Sequence, residues 1–359
     1  MKRKPVHDER NKETSLSRRS FIGSSAAAVT ATALAGQAEA TPPSDPHVKP
    51  ETGMRYRRLG RTELMISEIG LGCASGSLSR TLGEFLFDKW LHERGDCVNK
   101  LLDLGGNFFT SQPGYHNTID LVGEATKHRR NEIYYTVGVS PSKPDQIRQK
   151  IEESLTRMQT DVIDLCFSYG SGSDAGFEVL QKVRDEGLIR FIGMSSHDPR
   201  KHEWAMRKGY LDWLHIPYNR LGLIKQGPLN IIGAERVLAM AKAQDVGVIT
   251  IKPMTGNFIP NWAKETTLPE IQFIMQKLQD YGPSNLYQAM LRWILENDNL
   301  TAAAVGMDTV QQVVENVEAV RTPAITARQK ELLDLTAGVA NAATPEALQQ
   351  AIKSYCVFG

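Results

Sequence analysis

From Met54 onward, short runs of apolar and β-branched residues alternate with longer stretches whose apolar positions recur every three or four residues. The short runs are Ile66–Cys73, Asn107–Phe109, Ile133–Val139, Val162–Tyr169, Ile189–Ser195, Trp213–Tyr218, Val246–Lys252 and Ala302–Val305. They are continuously apolar rather than alternating, as expected of a parallel sheet covered on its outer face. Between them, Asp145–Met158, Phe177–Glu186, Ala234–Gln244, Leu286–Glu296 and Thr309–Val320 carry amphipathic helical spacing, and Gly187 and Gly209 supply helix stops. This alternation predicts an α/β fold, a (β/α)8 TIM barrel. An open doubly wound sheet is the rival, but no G-x-G-x-x-G turn opens a helix after the first run.

Two stretches exceed a minimal barrel. Residues 255–282, between the seventh run and its helix, form a long insertion carrying Phe258, Pro260 and Trp262. Such an insertion either lies over the barrel mouth as a lid or packs outward as a helical decoration. Residues 322–359 add two helical patterns and read as a C-terminal helical extension to a barrel spanning 54–321.

Length and charge narrow the function classes. A chain of 359 residues can bury one large core. Its net charge of +1 gives no concentrated basic face for nucleic acid or an anionic membrane. The four cysteines, Cys73, Cys97, Cys166 and Cys356, lack metal-ligand spacing, so no metal site is expected. Cys73 and Cys166 lie in apolar runs and read as buried thiols.

The N-terminus reads as an address. Ser17-Arg18-Arg19-Ser20-Phe21-Ile22-Gly23 matches a twin-arginine export motif, an Ala-rich weakly apolar run follows, and Ala38-Glu39-Ala40 offers a small-x-small cleavage site. The run is too short and too rich in Ala, Ser and Thr for a stable membrane span. Residues 1–40 are therefore expected to be a signal peptide read by the twin-arginine export machinery, with a periplasmic or secreted mature protein. Residues 41–53, rich in Pro and charge, read as a linker.

Candidate chemistry centres on Gly105-Gly106-Asn107-Phe108-Phe109-Thr110-Ser111-Gln112-Pro113-Gly114-Tyr115. This segment resembles G-x-N-F-F-D-T-A-x-x-Y-G of the aldo/keto reductase family. Four further stretches resemble that family in the same order: Met54–Leu64 with Ile66–Cys73 its opening hairpin and first strand, Asp161–Leu165 its D-x-I-D-L, Gly187–Ser195 its G-K-I-R-x-I-G-V-S, and Gly306–Asn316 its adenosine-end segment. Pro217-Tyr218-Asn219 follows the sixth strand in the same manner. The run Ile251–Met254 and Gly306-Met307 look most like exported, iron-sulfur-bearing branches, which carry a C-terminal cysteine cluster. Only Cys356 stands there, so no cluster is expected.

The resemblance implies a tetrad in which a tyrosine donates the proton, a lysine paired to an aspartate lowers the phenol pKa, and a histidine orients the carbonyl. Tyr115 matches the tyrosine. Thr110 stands at the aspartate, Gly138 at the lysine and Tyr169 at the histidine. Without a nearby cation a phenol keeps a pKa near ~10 and shuttles protons poorly at neutral pH. Replacement groups are Lys252 at the end of the seventh run, Ser195, Ser196 and His197 after the fifth, and His215 in the sixth. Lys252 either supplies the missing charge near Tyr115, holds a cofactor phosphate, or is a surface lysine. His197 replaces the lost histidine or only caps the helix opening at Asp198-Pro199. His215 stands where the family has an amide-binding glutamine, or is a satisfied core histidine.

The resemblance also implies a nicotinamide cofactor, NAD or NADP. Ser195 matches a carboxamide contact, and Glu315 and Asn316 match adenine contacts; the alternative is that both are plain helix residues. No Lys or Arg lies between Gly306 and Gln312 to meet a ribose 2′-phosphate. Asp308 is expected to repel that phosphate and to accept from a free 2′-hydroxyl, which slightly favours NAD. The resulting expectation is an exported oxidoreductase acting on a sugar, polyol or small carbonyl compound through Tyr115, Tyr169, His197 and Lys252. The alternative is a non-catalytic barrel binding a small ligand or a partner protein.

Overall fold

Eight parallel strands close on themselves in sequence order. They are β1 Ile69–Gly72, β2 Phe108–Ser111, β3 Tyr134–Val139, β4 Ile163–Tyr169, β5 Ile189–Ser195, β6 Trp213–Pro217, β7 Gly247–Ile251 and β8 Ala302–Val305. The last meets the first through Ala303 opposite Ile69, Ala304 opposite Gly70 and Val305 opposite Leu71. Helices follow each strand: α1 Glu84–Asp103, α2 Thr118–Thr126, α3 Pro144–Met158, α4 Asp174–Asp185, α5 Pro199–Arg207, α6 Ile231–Ala243, α7 Pro283–Leu295 and α8 Val310–Arg321. A further helix among the described residues, α9 Ala327–Ala342, packs on α7. The structure is a computed structural model and describes residues 47–49, 51–72, 84–111, 118–140, 144–170, 172–224, 227–255, 276, 280, 283–322 and 324–342. All of them belong to one unit, 43–359; the unit Met1–Pro42 lies outside the described residues.

Two apolar layers account for the closure. Between sheet and helices, Val137, Ile151, Leu180, Val237, Leu291 and Val317 belong to one continuous buried cluster. Inside the barrel, Phe108, Leu165, Phe167, Trp213, Ile249, Ala302 and Ala304 form a second cluster with Leu59, Leu64 and Ile66 from the N-terminal segment. Aromatic bulk fits the interior because facing positions are bare. A Cβ on Gly70 would stand 2.3 Å from the Phe108 ring, and one on Gly193 would stand 2.5 Å from the Trp213 ring.

One predicted run divides. Ile66–Cys73 is not a single strand: Met65–Ser67 pairs antiparallel with Tyr56–Arg58, and only Ile69–Gly72 enters the barrel. The break falls at Glu68. Its buried carboxylate accepts from Arg55 at 3.0 Å and Arg57 at 2.5 Å, while its carbonyl accepts from the Ala303 N–H at 2.9 Å. An ion-paired hinge thus separates two apolar halves that hydropathy alone joins. Within the stretch expected as a linker, His47–Lys49 adds a further strand along Met54–Tyr56.

The predicted helix stops are observed. Gly187 and Gly209 take φ of 83° and 71°, conformations that glycine adopts without a Cβ penalty. Helix α4 starts earlier than its apolar pattern, because the Ser173 side chain accepts from the Gly176 N–H at 3.0 Å and opens the helix at Asp174. Of the insertion 255–282, only Thr255, Gln276 and Asp280 fall among the described residues.

Candidate active site at the barrel mouth

Alternation along each strand decides what lines the mouth. The inward set that begins with Phe108, Tyr134, Phe167, Gly193 and Trp213 continues to Thr110, Gly138, Tyr169, Ser195 and His215. Tyr169, Ser195 and His215 sit side by side, Tyr169 opposite Ser195 and Ser195 opposite His215. Tyr169 is 44 % exposed at the rim, whereas Ser195 is buried. Three positions that carry aspartate, lysine and histidine in the resembled tetrad are therefore rim or interior positions here, filled by Thr110, Gly138 and Tyr169. Thr110 is turned to its neighbour strand, its hydroxyl donating to the Leu71 carbonyl at 3.4 Å. Tyr115 lies outside the described residues.

His215 lies one step below the rim. It is 2 % exposed, edge-on to Phe167 and Trp213 at ring distances of 5.0 and 4.7 Å. Its Nε2 has no hydrogen-bond partner among the described residues. Burial, reinforced by neighbouring His202, pushes its pKa down to about 3, so the ring is neutral. His202, fully buried on α5, bonds through Nε2 to the His215 carbonyl at 2.9 Å. A neutral ring with an unused nitrogen beside the Ser195 hydroxyl offers one donor and one acceptor on adjacent strands, a set that fits a planar carboxamide.

Beyond β5 the chain turns. Asp198 caps α5 by accepting from the Arg200 N–H at 3.0 Å, with Pro199 in the first turn. His197 is therefore not the cap; it is exposed, two residues beyond the end of β5. Ser196 is buried, its Oγ accepting from the Asp198 N–H at 3.1 Å, which gives it a turn-closing role. Partial burial of the ring, and then the positive charge of Lys252, lower the His197 pKa below its ordinary value. Lys252 and His197 thus come within electrostatic reach across the ends of β5 and β7.

Lys252 is held in a specific backbone pose. It and Thr255 both adopt φ of 56°, a left-handed conformation that is unfavourable for non-glycine residues and most of all for β-branched threonine. The surrounding bonds over-determine it. Asn219 donates from its side-chain amide to the Lys252 carbonyl at 3.1 Å, and the Thr255 N–H donates to the same oxygen at 3.1 Å. Thr250 donates to the Ile216 and Tyr218 carbonyls at 3.2 and 3.1 Å, tying the ends of β6 and β7 together. Asn219 and Thr250 were not legible as site residues, because their partners are backbone carbonyls on another strand. Tyr218 turns away from the mouth and stacks on Trp293 at 5.4 Å.

At the end of β8 the structure adds a partner that the sequence did not show. The guanidinium of Arg94, from α1, pairs with the Asp308 carboxylate and also donates to the Met307 carbonyl. The cation absent between Gly306 and Gln312 is thus delivered from a helix remote in sequence. Gly306 is exposed, and Thr309 caps α8 by accepting from the Gln312 N–H at 3.2 Å. The Asp308 N–H in turn donates to Gln312 Oε1 at 2.6 Å, a reciprocal closure of the helix start. Glu315 is half-buried and accepts from Gln311 at 2.9 Å, and Asn316 is buried on the same helix.

Comparison with known proteins agrees with this architecture. The profile of the Aldo/keto reductase family matches residues 91–335. The chain is 27 % identical over 299 residues to L-galactose dehydrogenase of Arabidopsis thaliana, covering 75 % of this chain and 89 % of that protein. It is 24 % identical over 312 residues to the NADH-specific methylglyoxal reductase of Escherichia coli, covering 74 % and 93 %. Among solved structures, the holo form of an aldo-keto reductase from Bacillus halodurans superposes with a TM-score of 0.62 at 23 % identity, over 79 % of this chain and 96 % of that one, which shows the fold.

Proposed function

The chain belongs to the aldo/keto reductase family, and from that premise we propose that it is an exported oxidoreductase acting on a sugar, polyol or other small carbonyl compound with a non-standard catalytic set. Members of the family generally use NAD(P)H. The donor set at the mouth fits such a cofactor: His215 Nε2, without a partner among the described residues, and the Ser195 hydroxyl suit its carboxamide. A reduced nicotinamide, when bound, supplies the hydride. The chain's own residues then manage the developing charge on the substrate oxygen. Lys252 would hold positive charge beside that oxygen, and neutral His197 would present an N–H to it, replacing what Gly138 and Tyr169 no longer provide. Tyr115 would contact substrate, with Tyr169 closing one side of the rim.

The observation that carries this reading is the Lys252 backbone at the end of β7, held in a left-handed pose by Asn219, with its charge felt by His197 beyond the end of β5. The names of two relatives point to a sugar and to a small dicarbonyl as substrate classes, and one to NADH. Ser17-Arg18-Arg19 and the apolar run behind it support export; the partner would be the twin-arginine machinery, and the mature protein periplasmic or secreted.

The test is to purify the protein from an export-competent host, titrate it with NADH and NADPH, and then offer a panel of sugars and small carbonyl compounds. Substrate-dependent oxidation of the cofactor that falls by more than tenfold in Lys252→Met supports the reading. A second reading, a barrel that binds a ligand without turning it over, draws on Thr110, Gly138 and Tyr169 at lining positions. Ligand binding with no cofactor binding at millimolar concentration would favour it.

A further inference from the structure

The end of β8 carries more than a contact surface. Arg94 is buried on α1, which packs along α8, and its guanidinium holds the Asp308 carboxylate and the Met307 carbonyl together. The Asp308 side chain nevertheless stays 45 % exposed. One side of the ion pair is closed by α1 and the other is open. The backbone around it is fixed by the Thr309 cap and by the bond from the Asp308 N–H to Gln312. Three charges meet at this corner: a guanidinium, a carboxylate and the positive end of α8, equivalent to about half an elementary charge.

Resting on the nicotinamide reading above, we infer that Arg94 is a specificity-determining residue: it pins Asp308 so that this corner accepts a ribose with a free 2′-hydroxyl and refuses a ribose 2′-phosphate. A hydroxyl donates to the outward oxygen of Asp308 without disturbing the pair. A phosphate dianion meets the carboxylate first and reaches the guanidinium only by displacing it. The discrimination therefore resides in one carboxylate held in place by one buried cation. Remove the carboxylate, and the guanidinium, still anchored on the Met307 carbonyl, becomes an attractive group for the same phosphate.

The experiment uses the whole protein and reads binding rather than turnover, by titrating with NADH and NADPH and following reduced-nicotinamide fluorescence. The wild-type protein is expected to bind NADH more tightly than NADPH. Asp308→Ala should move the ratio of the two dissociation constants toward NADPH by about tenfold or more, the scale of one charge-assisted hydrogen bond. In the double variant Asp308→Ala with Arg94→Gln the shift should vanish. With Arg94→Lys in place of Arg94→Gln it should be retained, which a merely structural role for Arg94 would not produce. An unchanged ratio in Asp308→Ala, which sits at a half-exposed position, overturns the inference even where the Arg94 variants do not fold. So does a shift that persists without the arginine. Failure of every variant and of the wild type to bind either cofactor overturns the nicotinamide reading itself, and the inference falls with it.

Discussion

Asn219, in the turn that follows β6, donates its side-chain amide to the carbonyl of Lys252 at 3.1 Å, and Lys252 holds a left-handed φ of 56°. The bond is buried on the Asn219 side and links the ends of two neighbouring strands. It converts an unfavourable backbone conformation into a fixed starting point for the lysine side chain. A site that must place an ammonium group reproducibly gains from such a clamp, because the cost of the pose is met in folding and not at each encounter with a ligand.

Asn219→Ala is expected to lower stability by about 1–2 kcal/mol, the usual cost of removing one buried hydrogen-bond partner. The Thr255 N–H still donates to the Lys252 carbonyl, so the loss should not exceed that range. Denaturant unfolding checks the stability. The His197 titration, followed by NMR, checks whether the lysine has drifted from it. A variant as stable as wild type with an unmoved His197 would show that the clamp does not set the mouth.

Lys252→Met should raise the His197 pKa. Partial burial is the larger cause of its depression and the ammonium the smaller, so removal of the charge recovers only part of the shift. The imidazole proton resonances of His197, followed between pH 4 and 9, give the value directly. A fall, or no movement at all, would place the two side chains out of reach of each other.

The order of the eight strands could be read from the sequence because buried parallel strands are continuously apolar, and that signal survives any choice of neighbour. Register and local breaks could not. Ile66–Cys73 has the hydropathy of one strand, yet the ion pairs of Glu68 with Arg55 and Arg57 divide it, and those pairs exist only once the N-terminal segment has folded back. The candidate site was legible in part for the same reason. Ser195, His215 and Lys252 sit at strand ends, positions that the barrel itself designates. Arg94 escaped notice because its partner lies at the far end of the chain and nothing in the α1 pattern distinguishes a guanidinium aimed at β8 from one aimed at water. Asn219 stands in the Pro217-Tyr218-Asn219 motif, but its role was not legible, because a side-chain bond to a carbonyl on another strand leaves no periodic trace.

Gly193→Ala should destabilise the barrel from within. Its added methyl would lie 2.5 to 2.8 Å from three atoms of the Trp213 indole, a fully buried ring wedged among Phe167, His215 and Ile249. Overpacking of this kind costs about 1–3 kcal/mol. Shrinking the opposing ring should relieve it, so Trp213→Leu is expected to cost less in the Gly193→Ala background than alone. Chemical denaturation of the four proteins in the cycle measures the coupling, and simple additivity would refute the packing account.

Acid should weaken the fold through two imidazoles that the barrel buries uncharged. Burial pushes His202 down to about 4, against the raising effect of its bonds to backbone carbonyls, and pushes His215 down to about 3. The unfolded chain binds protons on both near its ordinary value of ~6.5. Between those limits the unfolded state therefore holds more protons than the native one, and stability rises with pH. Their contribution is fully present above about pH 6.5 and is lost as the pH falls toward 4. The denaturation midpoint should drop steadily over that window, with a slope approaching two protons. Replacing His202 by Gln, which cannot charge, should remove about one proton of that slope even if it lowers stability at neutral pH. A slope unchanged in that variant would mean that His202 is not held neutral by burial.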